Sequence, residues 1–304
     1  AAASFEAALE RDRESGIAWL GLARVQRLLG KSAEAKETLT RARRLLPDED
    51  PSAAAESALL CLDNGDLEGA TQHIDAASIR GEGAIVSYVR GNIAANQGHL
   101  KAAETHFNAA IDTDPTHVRA RLNRASIHMA SGNAQGALDD ANILLDLAPG
   151  LSLAKLRRAE ANMMLSNWND SKKDLEQIVA DAPHHHHALT QLAACYISME
   201  RPEKAESPLN EALRLAPEHT DAWHQRGLLY LDWGREEAAL NDFEAAVRCD
   251  GNHLDARLHI AAIHHEAGRF IEASGAWKGV LAIEPEHAVA RRRREECDMA
   301  LATM

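Results

Sequence analysis

The sequence predicts an all-α chain built as a stack of helical hairpins, on three observations: an interior supplied by Ala and Leu, small residues that return every 34 positions, and Gly and Pro where a hairpin would turn and stop. Apolar residues are 45% of the 304 and aromatics only 4%, which suits closely approaching helices better than strands that pack β-branched and aromatic side chains. At this length a single hydrophobic core has stopped growing, so the chain is either two ordinary domains or one elongated array. The formal charge of -13 opposes binding to phosphate backbones, which rests on Lys and Arg displacing counterions, so no nucleic-acid partner is expected. No apolar run reaches the span of about 18 residues that crosses a membrane, and Ala1 to Glu6 lack the charged start and apolar stretch of a signal peptide.

The repeat unit is clearest from Thr220 to His253, where Trp223, Gly227, Tyr230, Ala239, Phe243 and Ala246 occupy positions 4, 8, 11, 20, 24 and 27. In this spacing the chain resembles the tetratricopeptide repeat (TPR) family. Stepping outward gives units at 16–49, 51–83, 84–117, 118–151, 152–185, 186–219, 220–253 and 254–287, with Asp50 as an extra linker residue. Position 8 is Ala23, Ala58, Gly91, Ala125, Ala159, Ala193, Gly227 and Ala261; position 20 is Ala in every unit except for Ser171. Small side chains at these two places let the paired helices approach at the short end of the roughly 8–10 Å range. Position 24 supplies bulk beside the contact through Leu39, Ile74, Phe107, Leu175, Leu209, Phe243 and Trp277; Ala141 is the exception, with Leu144 and Leu145 nearby as compensation.

Position 15 is Gly in six units, which suits a left-handed turn between helices, with Ser166 and Glu200 as departures. Position 32 is Pro in six units and stops the second helix; Glu82 and Gly251 replace it, which predicts two looser junctions. Pro202 suits a helix start, whereas Pro208 lies inside the expected second helix and predicts a bend near Lys204 to Pro208. Residues 1–15 fit the second helix of an earlier unit whose first helix is missing, which predicts a piece of a longer protein and leaves an exposed end available for self-association. Residues 288–304 read as a capping helix, with Arg291 to Arg294 pointing all round it as a solvated cap.

The usual chemistries find no complete residue set. Gly81-Glu82-Gly83 lacks the third glycine of a dinucleotide loop, Val86 standing there, and no strand precedes it. His265-Glu266 lacks the second histidine of a zinc-protease helix, its place being taken by Arg269. Cys61, Cys195, Cys249 and Cys297 are far apart and read as free thiols, which favours a reducing compartment such as the cytoplasm without excluding the periplasm. The run His184 to His187 reads as a solvated loop at a junction, with a surface metal site as its rival; His117, His185, His219, His253 and His287, all at position 34, read as surface junction residues, too far apart to share a metal. His128 and His264, at position 11, are expected to pack inside their hairpins. The reading is non-enzymatic, with no cofactor and no metal.

Resemblance to the family implies a right-handed α-α superhelix whose concave face, lined by the first helices, binds a peptide segment or a partner protein. The candidate lining residues are Tyr88, Asn92, Arg119, Leu122, Asn123, Ser126, Leu156, Arg157, Glu160, Met163 and Gln191. Asn92, Asn123 and Arg157 fall where family members that grip the terminal carboxylate of heat-shock chaperones carry Asn, Asn and Arg, but Tyr88 and Leu153 replace two lysines of that clamp. Asparagine offers both donor and acceptor to a peptide backbone, and arginine grips a carboxylate with paired bonds. Met163 and Met164 beside Leu156 make either an adaptable apolar patch or ordinary packing. Two rival roles are a substrate-recruiting arm of a larger glycosyltransferase- or hydroxylase-type enzyme and a structural part of a bacterial secretion or assembly apparatus.

Overall fold

The computed structural model describes residues 2–47, 50–78 and 83–303. The described residues form eighteen α-helices and one 3-10 turn, with no strand. The chain divides into two compact units, Ala1–Ala161 and Asn162–Met304.

The first unit holds α1 (Ala2–Arg11), α2 (Gly16–Leu28), α3 (Ser32–Leu45), α4 (Ser52–Asp63), α5 (Leu67–Ser78), α6 (Ala84–Asn96), α7 (Leu100–Thr113), α8 (Val118–Ala130), α9 (Ala134–Leu147) and most of α10 (Ser152–Met164). The second holds α11 (Trp168–Asp181), α12 (His186–Ser198), the 3-10 turn Pro202–Lys204, α13 (Glu206–Leu215), α14 (Thr220–Asp232), α15 (Glu236–Cys249), α16 (Leu254–Glu266), α17 (Phe270–Ile283) and α18 (Ala288–Ala302). Within each unit helices pack on their sequence neighbours, and first helices also touch the next first helix, as in α2–α4, α4–α6, α6–α8 and α12–α14.

The recurring small residues are buried throughout: Ala23, Ala58, Ala125, Ala159, Ala193 and Ala261 on first helices, and Ala35, Ala70, Ala103, Ala137, Ser171, Ala205, Ala239 and Ala273 on second helices, all have no exposed surface. Gly91 and Gly227 show why bulk is refused. A Cβ on Gly91 would lie 2.5 Å from Phe107 Cε1, and one on Gly227 would lie 2.7 Å from Phe243 Cε1. Where Ala141 replaces the usual bulk, Leu144 and Leu145 fill the space and pack with Ala154, Val118, Leu122 and Leu151.

Every turn within a hairpin has the same backbone. The residue at position 15 is left-handed, with φ between 67° and 78° at the six glycines and 60° and 58° at Ser166 and Glu200. The following N–H reaches back to the carbonyl five residues earlier, as in Lys31 to Gln26 (2.9 Å), Asn167 to Asn162 (2.8 Å) and Arg201 to Tyr196 (2.9 Å). This bond closes the helix C-terminus. Ser166 and Glu200 therefore adopt the glycine geometry at a cost of about 1–2 kcal/mol each.

Two sequence expectations are corrected here. Pro208 does not bend a continuing helix: the second helix is interrupted instead, a 3-10 turn over Pro202–Lys204 giving way to α13 at Glu206. Pro208 then falls in the first turn, where a missing N–H leaves nothing unsatisfied. The junction at Gly251 is not loose. Asp250 Oδ1 accepts from Asn252 N at 2.9 Å, and Arg257 donates twice to the Gly251 carbonyl at 3.0 and 2.8 Å. The other junction, at Glu82, lies outside the described residues, as do Gly81 and Glu82 of the glycine-rich motif.

Candidate functional site

Four of the five position-34 histidines have a structural task, His219 making no side-chain cap bond. Nδ1 of His117, His185, His253 and His287 accepts the backbone N–H three residues on at 3.1, 3.1, 3.1 and 3.2 Å, so each caps a first helix. They are half-buried helix caps rather than plain surface residues. His128 is buried as expected, with Nδ1 3.2 Å from Asn133 Nδ2.

A second device, missed in the sequence, ties hairpins together. Arg124 on α8 forks onto Asp140 on α9 (Nε to Oδ2, 2.8 Å) and donates to Asn108 Oδ1 on α7 at 2.6 Å. Arg226 on α14 repeats this with Asp242 on α15 (2.7 and 2.8 Å) and Asn210 on α13 (2.6 Å). The two aspartates are 1% and 4% exposed, so these are buried, bidentate charge-assisted contacts. A signal existed: Arg with Asn sixteen residues before and Asp sixteen residues after.

The expected lining residues separate into three groups in the first unit. Tyr88 and Leu156 are buried, at 7% exposure each; Tyr88 packs against His117 (ring centroids 4.9 Å apart) and Phe107 (6.2 Å), so it belongs to the interior. Asn92 and Asn123 meet: Asn123 Nδ2 donates to Asn92 Oδ1 at 2.6 Å across α6 and α8, and Asn92 Nδ2 has no partner. Arg157 turns to Glu160, 2.6 Å away one turn along its own helix. Of the rest, Arg119 is exposed and Leu122 and Ser126 are half-buried. Farther toward the N-terminus Arg24 and Arg27 both meet the buried Glu56, at 3.0 and 2.6 Å, and Arg27 also meets Asp63 at 2.6 Å.

In the second unit Met163 and Gln191 are half-buried, and Met164 is 47% exposed. A cavity of about 620 Å³ opens between α12 and α14, floored by Ile197, Leu228 and Leu229 and edged by Gln225, Glu200 and Asp232. Beside it runs a band of histidines: His224 lies 4.8 Å from His253 and 5.7 Å from His259 between ring centroids. Burial, with the charges of His253 and His259 adding to it, pushes the His224 pKa down to about 4, so the ring is neutral near pH 7. Among the described residues no group of three or more His, Cys, Asp or Glu is placed to hold a metal.

One nucleophile-like pair does occur, His265 Nδ1 lying 3.2 Å from Cys297 Sγ. Cys297 has no exposed surface, and burial raises its pKa, the reverse of the activation that a thiolate nucleophile needs. The arginines of α18 are engaged as well: Arg291 with Glu286, Arg292 and Arg293 with Glu296, and Arg294 with Asp298. No described helix is long and apolar enough to cross a membrane.

Three tetratricopeptide-repeat family models match the chain, over residues 88–152, over 1–59 and 163–225, and over 220–253. The chain belongs to the tetratricopeptide-repeat family. A TPR protein from Parabacteroides merdae superposes with a TM-score of 0.59 at 17% identity, over 82% of this chain and 98% of that one. The Cut9-Hcn1 hetero-tetramer of APC/C gives a TM-score of 0.72 at 16% identity, over 94% of this TPR chain and 56% of that one. Human IFIT1, a dimer with m7Gppp-AAAA, gives 0.56 at 19% identity, over 88% and 68%. At these identities the likeness is one of fold: a TPR solenoid, of the kind typically used for protein–protein interaction. No curated protein matches the TPR chain by sequence.

Proposed function

We propose that this TPR chain is a non-catalytic scaffold that holds a peptide segment or partner protein against its first helices. The observation that carries the reading is where hydrogen-bonding capacity is left over. The Arg124–Asp140–Asn108 and Arg226–Asp242–Asn210 clamps take Asp and Asn from second helices and one Arg each from the first helices α8 and α14. Elsewhere on the first helices capacity remains: among the described residues half-buried Asn123 bonds only its counterpart Asn92, and exposed Arg119 makes no ion pair. An extended backbone supplies the missing acceptors and donors at regular spacing. Cut9 belongs to a protein assembly and IFIT1 to a complex with m7Gppp-AAAA; a net charge of -13 favours the first kind of ligand here.

The test is a random peptide library displayed on phage and panned on the whole chain, followed by fluorescence anisotropy on the strongest peptide. Asn123→Ala with Arg157→Ala is expected to weaken binding about ten-fold or more, equivalent to about 1.4 kcal/mol, while the melting temperature stays within about 2 °C because both side chains make only polar, partly exposed contacts. Equal affinity in the double variant, or no selectable peptide, contradicts the reading.

A further inference from the structure

The cavity between α12 and α14 lies on the same family of helices and differs from the rest of the array in ways that point to one ligand chemistry. Its floor is apolar: Ile197 and Leu228 each keep 36% of their surface exposed and leave it uncovered by any other element of the unit. At about 620 Å³ it falls within the range of pockets that take small ligands, about 300–1,000 Å³. Three irregularities meet at it. The second helix that follows α12 is the interrupted one, and Pro202 of its 3-10 turn stands in the wall. Glu200, also in the wall, holds the left-handed conformation that six other turns give to glycine. Gln225 carries a buried oxygen, Oε1, that no group of the chain satisfies.

The electrostatics select the occupant. Glu200 and Asp232 at the rim are both exposed, and neither makes an ion pair among the described residues. Of the cations nearby, Lys204 lies over the Tyr196 ring at 6.0 Å and Arg235 over Trp233 at 4.9 Å with Glu206 3.7 Å away, while Arg201, next to Glu200, is exposed and makes no ion pair among the described residues. An apolar floor under two unpaired carboxylates is complementary to a large apolar side chain followed by a cation.

We propose that this pocket captures a basic-apolar peptide segment, burying a Leu or Phe side chain between α12 and α14 while Glu200 and Asp232 hold an adjacent Lys or Arg. The inference rests on the scaffold reading above and names the partner chemistry for one part of it. Gln225 contributes its side-chain amide to the peptide backbone.

Three acetylated, amidated, fluorescein-labelled peptides test this by anisotropy on the full chain: Gly-Leu-Phe-Lys-Gly, its Glu-for-Lys counterpart, and Gly-Ser-Ser-Lys-Gly. The first is expected to bind at least ten-fold more tightly than either control. Leu228→Asn abolishes the difference between the Leu-Phe and Ser-Ser peptides, and Asp232→Lys inverts the preference between Lys and Glu. Glu200→Gly is the separating variant: it raises the melting temperature while weakening the lysine peptide, a pair of effects that a purely structural residue does not produce. Equal binding of the Lys and Glu peptides, unchanged affinity in Leu228→Asn, or uptake of an apolar dye with none of the peptides overturns the proposal. So does a dimer in sedimentation that Leu228→Asn dissolves, since the pocket would then be filled by a second copy. If the pocket variants change nothing while Asn123→Ala with Arg157→Ala still weakens the phage-selected peptide, the pocket alone falls and the scaffold reading stands.

Discussion

A glycine and a serine show how much of this chain is decided at single positions. In an exposed helix, Gly→Ala gains about 1 kcal/mol from propensity. At Gly91 the new Cβ would press into Phe107, which has no exposed surface into which to retreat. Gly91→Ala is therefore expected to destabilise by about 1–2 kcal/mol net, within the overpacking range, whereas Ser166→Gly is expected to stabilise by up to about 1 kcal/mol by relieving a left-handed backbone. Urea denaturation of both variants checks the pair of opposite signs, and the same sign in both would contradict the packing account. At this scale the sequence was readable where a residue type has one physical use. Ala and Gly at positions 8 and 20 mean close approach, and a departure such as Ser166 shows the limit, since the turn's hydrogen bonds impose the conformation whatever the residue. The histidine caps were not readable because capping is the habit of Ser, Thr, Asp and Asn, and Nδ1 serves only when the ring is turned back over its own helix.

Between elements, the hairpins are joined by apolar nesting and by the Arg–Asp–Asn clamps, and the two differ in how they fail. Asp242 is 4% exposed and holds Arg226 by two bonds, while Arg226 also lies over Trp223 at 4.9 Å. Asp242→Ala leaves a partly buried guanidinium without its counter-ion and is expected to cost about 3–5 kcal/mol, whereas Asp242→Ala with Arg226→Met recovers most of it. Chemical denaturation of the two single variants and the double measures the coupling, and additive losses would mean that the clamp is not one unit. The interruption before α13 belongs to this scale as well. Pro208 announced an irregularity, but its outcome depended on where the helix could begin again, and two prolines six residues apart leave α13 as the only continuous α-segment. The apolar cavity at Pro202 was illegible as a cavity because its lining comes from α12, from Glu200 and Pro202 beyond it, and from α14 of the next hairpin, which only the fold brings together.

Across the whole molecule, the family and the all-α fold were legible because a 34-residue period repeats the same physical constraint many times, and errors at single positions average out. The binding residues were less so. A register position says which helix carries a side chain but not whether a neighbour has drawn it inward, as Phe107 and His117 do to Tyr88, or paired it, as Glu160 does to Arg157. The central claim is that a ligand is met by the first helices, where half-buried Asn123 and exposed Arg119 keep hydrogen-bonding capacity that the Arg–Asp–Asn clamps do not take. Hydrogen–deuterium exchange with side-chain footprinting, on the whole chain free and saturated with the strongest phage-selected peptide, measures this most directly. The account predicts new protection on the first helices α6 and α8, with the second helices α7 and α9 unchanged. Protection confined to those second helices would contradict it.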